Sequence, residues 1–99
     1  MIMFSRVESE LKMLRRHLEV LRLVLREEPI GILKLADETG LPKHKVRYSL
    51  RVLENRGLIK PSQQGAVTTK KAKQFVNDFH GKFRVIEKEV QDIKTLRIK

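Results

Sequence analysis

Apolar residues in the first quarter of the chain fall at Phe4, Val7, Leu11, Leu14, Leu18, Leu21 and Leu25, in alternating steps of three and four. That spacing keeps all of them on one helical face and repeats every seven residues, so it predicts a helix over 4–27 with an a/d seam. Val20, Leu23 and Val24 widen the apolar surface toward the C-terminal end only. The second half of this helix is therefore expected inside a globular core, while the first half offers a narrow seam. The end of the chain repeats the pattern: Ala72, Val76, Phe79, Phe83, Ile86, Val90 and Ile93 again step by fours and threes. A helix over 69–97 follows, with Thr69 as its N-cap. Gly81 falls on the outward side, where glycine costs a helix about 1 kcal/mol but removes no packing.

Between these seams the punctuation is dense. Pro29 ends the first helix, because proline disfavours helical geometry in the residue before it. Ile30 and Gly31 are expected as a very short strand. A second helix over 32–39 presents Ile32, Leu33, Leu35 and Ala36 to the core, and Gly40 closes it in left-handed geometry. After the break at Gly40 and Pro42, Val46, Leu50 and Leu53 mark the buried stripe of a third helix over 43–56, with Gly57 as its stop. Residues 58–60 read as a strand, 62–65 as a polar turn and 66–69 as a returning strand, with Pro61 confined to an edge or a strand end. The fold class expected is mostly α with a small β-hairpin. The 99 residues form one domain over 1–99, with a core at 13–70 and helical extensions at 1–12 and 71–98.

Charge adds the partner. The formal net charge is +10 and the isoelectric point about 10.3, which favours a polyanion whose condensed counterions are released on binding. Between residues 43 and 60 the cations are Lys43, Lys45, Arg47, Arg51, Arg56 and Lys60, against the single acid Glu54. Opposite the buried stripe of the third helix stand His44, Tyr48, Arg51 and Asn55, flanked by Lys45 and Arg47. A helix with this division suits the major groove of DNA. Other chemistries lack their residues. There is no cysteine, and His17, His44 and His80 are too scattered for a metal site. No nucleophile–base pair or phosphate loop is visible, so an enzyme is not expected. No ligand pocket is legible either, and neither a cofactor nor a small-molecule effector enters the reading. No apolar run is long enough to span a bilayer, and MIMFSRVESE turns charged too early for a signal peptide, so the expected location is the cytoplasm, at the nucleoid.

The order helix, short strand, helix, turn, helix, hairpin, together with ILKLADETGLPKHKVRYSLRVLENRGLI, resembles the winged helix-turn-helix of small bacterial and archaeal transcriptional regulators. The resemblance rests on Ala36, Gly40, Leu41, Leu50, Leu53, Glu54, Gly57, Leu58 and Ile59. It implies a DNA-binding regulator whose recognition helix contacts fall on Lys43, His44, Lys45, Arg47, Tyr48 and Arg51. It also implies a wing in which Lys60, Gln63 and Gln64 meet phosphates or the minor groove. Lys70 and Lys71, just after the wing, would add backbone contacts that position without specifying. The layout is similar as well to small archaeal chromatin-associated proteins that join one winged helix to a long dimerising C-terminal helix.

The two apolar seams exceed what such a core needs. Either the terminal helices pack on each other within one chain, or they meet those of a second. The second arrangement is expected, a homodimer through Phe4, Val7, Leu11 and Leu14 of the first helix and Val76, Phe79, Phe83, Ile86, Val90 and Ile93 of the last. An architectural protein of low sequence specificity is the alternative function, and a protein-interaction adaptor in the transcription machinery the second alternative.

Overall fold

The first apolar seam folds as helix α1 (Ile2–Glu27) in the computed structural model, which describes residues 2–98. Met1 and Lys99, part of the expected span 1–99, lie outside the described residues. Only the C-terminal half of α1 is committed to the core. Val20, Leu21 and Val24 are buried there, whereas Phe4, Val7 and Leu11 remain 61%, 56% and 43% exposed. Around those three buried residues gather Ile30, Leu35, Val46, Leu53, Leu58 and Ile59, with Ala66 and Phe75 packed against them.

Helix α2 (Ile32–Thr39) ends on Gly40 at φ 72°, whose N–H donates to the Ala36 carbonyl at 2.9 Å. Leu35 is fully buried, and Ile32 and Ala36 pack beside it. Leu33 departs from expectation and is 68% exposed. It lies two positions from Leu35, about 200° round the helix, so the burial of one turns the other outward.

Helix α3 (Lys43–Asn55) buries Val46, Ser49 and Leu53. Its end forms a Schellman motif: Gly57, at φ 73°, donates to the Glu54 carbonyl, and Leu58 donates to the Leu53 carbonyl at 3.0 Å. Leu53 and Leu58 are both buried beneath this cap. Because Leu58 is used in the cap, strand β1 (Ile59–Ser62) begins one residue later than the apolar run indicates.

The hairpin is also tighter than its polar segment indicates. Strand β2 (Gly65–Thr68) pairs antiparallel with β1 from Ile59↔Thr68 to Ser62↔Gly65, leaving only Gln63 and Gln64 in the turn. The expected strand at 30–31 reduces to a single bridge on the far side of β2. Ile30 donates to the Ala66 carbonyl at 3.1 Å and Ala66 donates back at 2.8 Å. This explains how Pro61 sits inside β1. Its partner is Ala66, whose own N–H and C=O turn toward Ile30, so that no donor is required of residue 61. The Glu28 carboxylate secures the other end of β2, accepting from the Thr68 N–H at 2.8 Å and from its hydroxyl.

Helix α4 (Lys70–Lys94) leaves the wing behind Thr69. The Thr69 hydroxyl does not cap its own helix but donates to the Gly57 carbonyl at 2.6 Å, tying the start of α4 to the end of α3. The helix stops short of the expected 97, at Thr95, whose hydroxyl donates to the carbonyls of Gln91 and Asp92. Ala72 is buried and Phe75 packs on the core. Beyond them α1 and α4 diverge. Leu18, Leu21 and Leu25 face Phe75, Val76 and Phe79 across an open groove of about 460 Å³. The single-chain hairpin of terminal helices is therefore not formed. Val76, Val90 and Ile93 are 46%, 46% and 56% exposed. Among the described residues no helix is long and apolar enough to cross a membrane.

Two glycines give opposite expectations. At Gly65, φ is 131° and an added Cβ would stand 2.5 Å from the Ile30 backbone, while at Gly81 nothing lies within 4 Å. Gly65→Ala should lose 2 kcal/mol or more, about 8 °C or more in Tm, and Gly81→Ala should gain about 0.5–1 kcal/mol by thermal unfolding.

Candidate nucleic-acid interface

Burial of Val46, Ser49 and Leu53 sets the rotation of α3, and everything opposite them faces solvent. Lys43, His44, Lys45, Arg47, Tyr48 and Arg51 are all exposed. They do not form one uniform patch. Lys43, His44, Arg47 and Arg51 occupy the outer face. Lys45 stands on one flank, sharing a cleft with Ser9, Lys12, Met13 and Arg16 of α1. On the opposite flank, Leu50 and Glu54 border a cleft of about 650 Å³ shared with the wing, so Glu54 looks toward the hairpin. Lys60, Gln63 and Gln64 are exposed on that hairpin, and Lys70 and Lys71 are exposed at the start of α4. The Lys71 side chain lies over Gly57, with its Cδ 3.3 Å from where a Cβ would be, close to the carboxyl end of α3. A cation there complements the helix dipole.

Tyr48 is held from behind. Its ring lies 5.7 Å from the His17 ring, and the Arg16 guanidinium carbon is 5.8 Å from its centroid. Next to it the His17 Nδ1 and the Ser49 Oγ are 2.8 Å apart, in hydrogen-bond contact. His17 is isolated in sequence, yet in the fold it latches α1 to α3. No spacing rule connects residues 17 and 49. The available signal was Ser49 itself, a polar residue between Val46 and Leu53 on the buried side, which must have a partner. Burial, and then the neighbouring Arg16 charge, hold the His17 pKa below its ordinary value.

Acidic groups collect elsewhere. Where α1 meets α2, the Glu27 carboxylate is 3.1 Å from the Lys34 ammonium, and that contact holds the Glu27 pKa below its ordinary value. The Phe79 ring stacks 4.8 Å from Phe83 and 6.2 Å from Phe75, making an aromatic row along the inner side of α4. Phe79, Phe83 and Leu14 are half-buried, while Ile86 is 38% exposed.

Two short helices joined at a tight turn, the second presented outward and a two-stranded hairpin beside it, define a winged helix-turn-helix. Residues 13–60 match the family model described as winged helix-turn-helix DNA-binding. Over that segment, a little under half of the chain, it is similar to this DNA-binding family. The match runs from the buried half of α1 into the first wing strand, and does not include α4. Among solved structures, the activation domain of the phage T4 transcription factor MotA is similar with a TM-score of 0.57, covering 77% of this chain and 79% of that one at 16% identity. At that identity the likeness concerns the fold. No curated protein matches the chain.

The His17 latch gives a pH dependence with a definite sign. Its folded pKa is depressed, so the unfolded chain takes up the proton first as pH falls. The stability that His17 contributes is complete above the ordinary histidine value, near 6.5, and is lost as pH drops below it toward the folded pKa. Urea unfolding at pH 7.5 and 5.5 should show a larger loss for the wild type than for His17→Gln, which can keep a hydrogen bond to Ser49 without titrating. Equal losses would contradict the assignment.

Proposed function

We propose that the chain is a homodimeric regulator of transcription that binds double-stranded DNA, with α3 in the major groove and the β1–β2 wing beside the backbone. The observation that carries this reading is the outward face of α3. Its rotation is fixed by buried residues, and it bears Lys43, His44, Arg47 and Arg51 with no acid between them. Lys43, His44 and Arg47, near the start of the helix, suit base edges, since a guanidinium matches guanine O6 and N7. Arg51 and Tyr48 reach bases or the adjacent phosphate line, with Tyr48 backed by His17 and Arg16. Lys45, Lys60, Gln63, Gln64, Lys70 and Lys71 supply contacts that set register. The function is binding rather than catalysis, and such a regulator works in the cytoplasm, on the nucleoid.

The homodimer is part of the proposal, with residues 1–12 and 71–98 as its dimerising extensions around the core at 13–70. The uncovered apolar residues of both terminal helices support it: Phe4, Val7 and Leu11 on α1, and Val76, Ile86, Val90 and Ile93 on α4. Leu14, Phe79 and Phe83, half-buried, continue the same stripes. A stripe of this length left in water favours association. A two-fold dimer would present two copies of α3 to half-sites about one helical turn, roughly 34 Å, apart.

Arg47→Ala/Arg51→Ala should weaken binding to a duplex selected from a random library by a factor of roughly 30 to 25,000, at about 1–3 kcal/mol per lost base contact. Unchanged affinity in fluorescence anisotropy would remove α3 from the interface. Val90→Glu/Ile93→Glu changes two exposed positions and should convert a dimer to a monomer by sedimentation velocity. A variant that sediments like the wild-type dimer would show that α4 does not make the contact.

A further inference from the structure

The wing is poor in charge. From Ile59 to Thr68 its only cation is Lys60. A winged helix that depends on the hairpin to hold one strand of the backbone has little there to hold it with. The other flank of α3 is different. Ser9, Lys12 and Arg16 lie on one face of α1, and they share with Lys45 a cleft of about 360 Å³ beside the first turn of α3. Arg15 and Glu19 also line this cleft and pair with each other at 3.6 Å, leaving the other three cations in excess. Among the described residues no ion pair engages Lys12, Arg16 or Lys45.

Arg16 is the anchor of this cluster. Its guanidinium is held over the Tyr48 ring, and its Nε is shut away from solvent with no acceptor among the described residues. The guanidinium carries an unpaired charge, and an anion bound at its solvent-facing side offsets that charge. The serine hydroxyl, lysine ammonium and arginine guanidinium are the groups that contact phosphate oxygens without reading sequence.

We infer that the N-terminal half of α1 is a second DNA-contacting element, in which Ser9, Lys12 and Arg16, with Lys45, clamp backbone phosphates on the side of the recognition helix opposite the wing. This rests on the reading that α3 faces the duplex, and adds on α1 to the few positioning contacts that the wing offers. The long first helix then has a further use beside its apolar stripe at Phe4, Val7 and Leu11. Its Val20–Val24 segment builds the core, and the turns before it hold the DNA.

Counterion release provides the test, because each phosphate contact contributes about 0.9 to the slope of log affinity against log salt concentration. Duplex binding is titrated between 50 and 200 mM salt for the full chain, with selected and scrambled duplexes. Lys12→Ala/Arg16→Ala should flatten the slope by about 1.8, so that over this salt range it loses roughly 12-fold less affinity than the wild type does. The ratio between the two duplexes should stay the same. Lys12→Ala alone, at an exposed position outside the core, should give about half the change, and Arg16→Lys, which keeps the charge, should retain most of the slope. An unaltered slope in Lys12→Ala/Arg16→Ala, while Arg47→Ala still loses affinity, overturns the α1 contact and leaves the α3 reading standing. If Arg47→Ala binds as the wild type does, the α3 reading fails and the clamp fails with it.

Discussion

The rotation of α3 about its own axis is the constraint on which the rest of this molecule depends. A 100° error would bury Arg47 and expose Val46. Each fully buried Val or Leu contributes about 1.5–3 kcal/mol, and Val46 and Leu53 are both set against Val20, Leu21 and Val24 of α1. The surface ion pairs Arg15–Glu19 and Lys34–Glu27 are screened by solvent and weak beside that burial. Apolar burial therefore decides the setting of the helix. The His17–Ser49 hydrogen bond makes it specific, since an unmet Ser49 hydroxyl would cost about 1–3 kcal/mol. The cationic face is a consequence: what cannot be buried is turned outward together.

Around α3 the fold arranges unequal neighbours. The wing is braced by Ile30 and Glu28 through backbone and carboxylate hydrogen bonds, yet presents little charge. On the other flank α1 presents lysine and arginine beside the first turn of α3. The ends of the chain are unequal in another sense. They carry apolar stripes that one chain leaves uncovered, and the divergence of α1 from α4 opens a groove in place of a closed pair. The long axis of 57 Å reflects these projecting helices.

Much of this was legible in the sequence, and the unread parts share a cause. Stops written in glycine and proline were plain: Gly40 takes the left-handed geometry expected of it, Gly57 stops α3 as expected, and Pro61 lies on the edge strand. Helical periodicity located all four helices because it depends only on local spacing. Leu33 was misplaced because a short helix offers more apolar positions than its buried arc can take. Leu58 was misplaced because the Schellman cap needs its N–H before the strand can use it. The turn at Gln63-Gln64 was drawn too wide because Ser62 and Gly65 look like turn residues although they pair. The latch of His17 on Ser49 was invisible, since it joins residues whose proximity exists only once α1 and α3 have packed. For the interface, the cationic cluster on α3 could be read as a charge pattern on one helix. The α1 flank could not, because it is assembled from two helices.

The central claim is that the outward face of α3 is the surface that meets DNA. Amide chemical-shift mapping of the full chain, titrated with a selected duplex, tests it most directly. The account predicts the largest perturbations over residues 43–51, with a second group over 9–16 on α1 and little change at Leu33 or along the exposed side of α2. Perturbations centred on α2 or on the α1–α4 groove, with 43–51 unmoved, would contradict it.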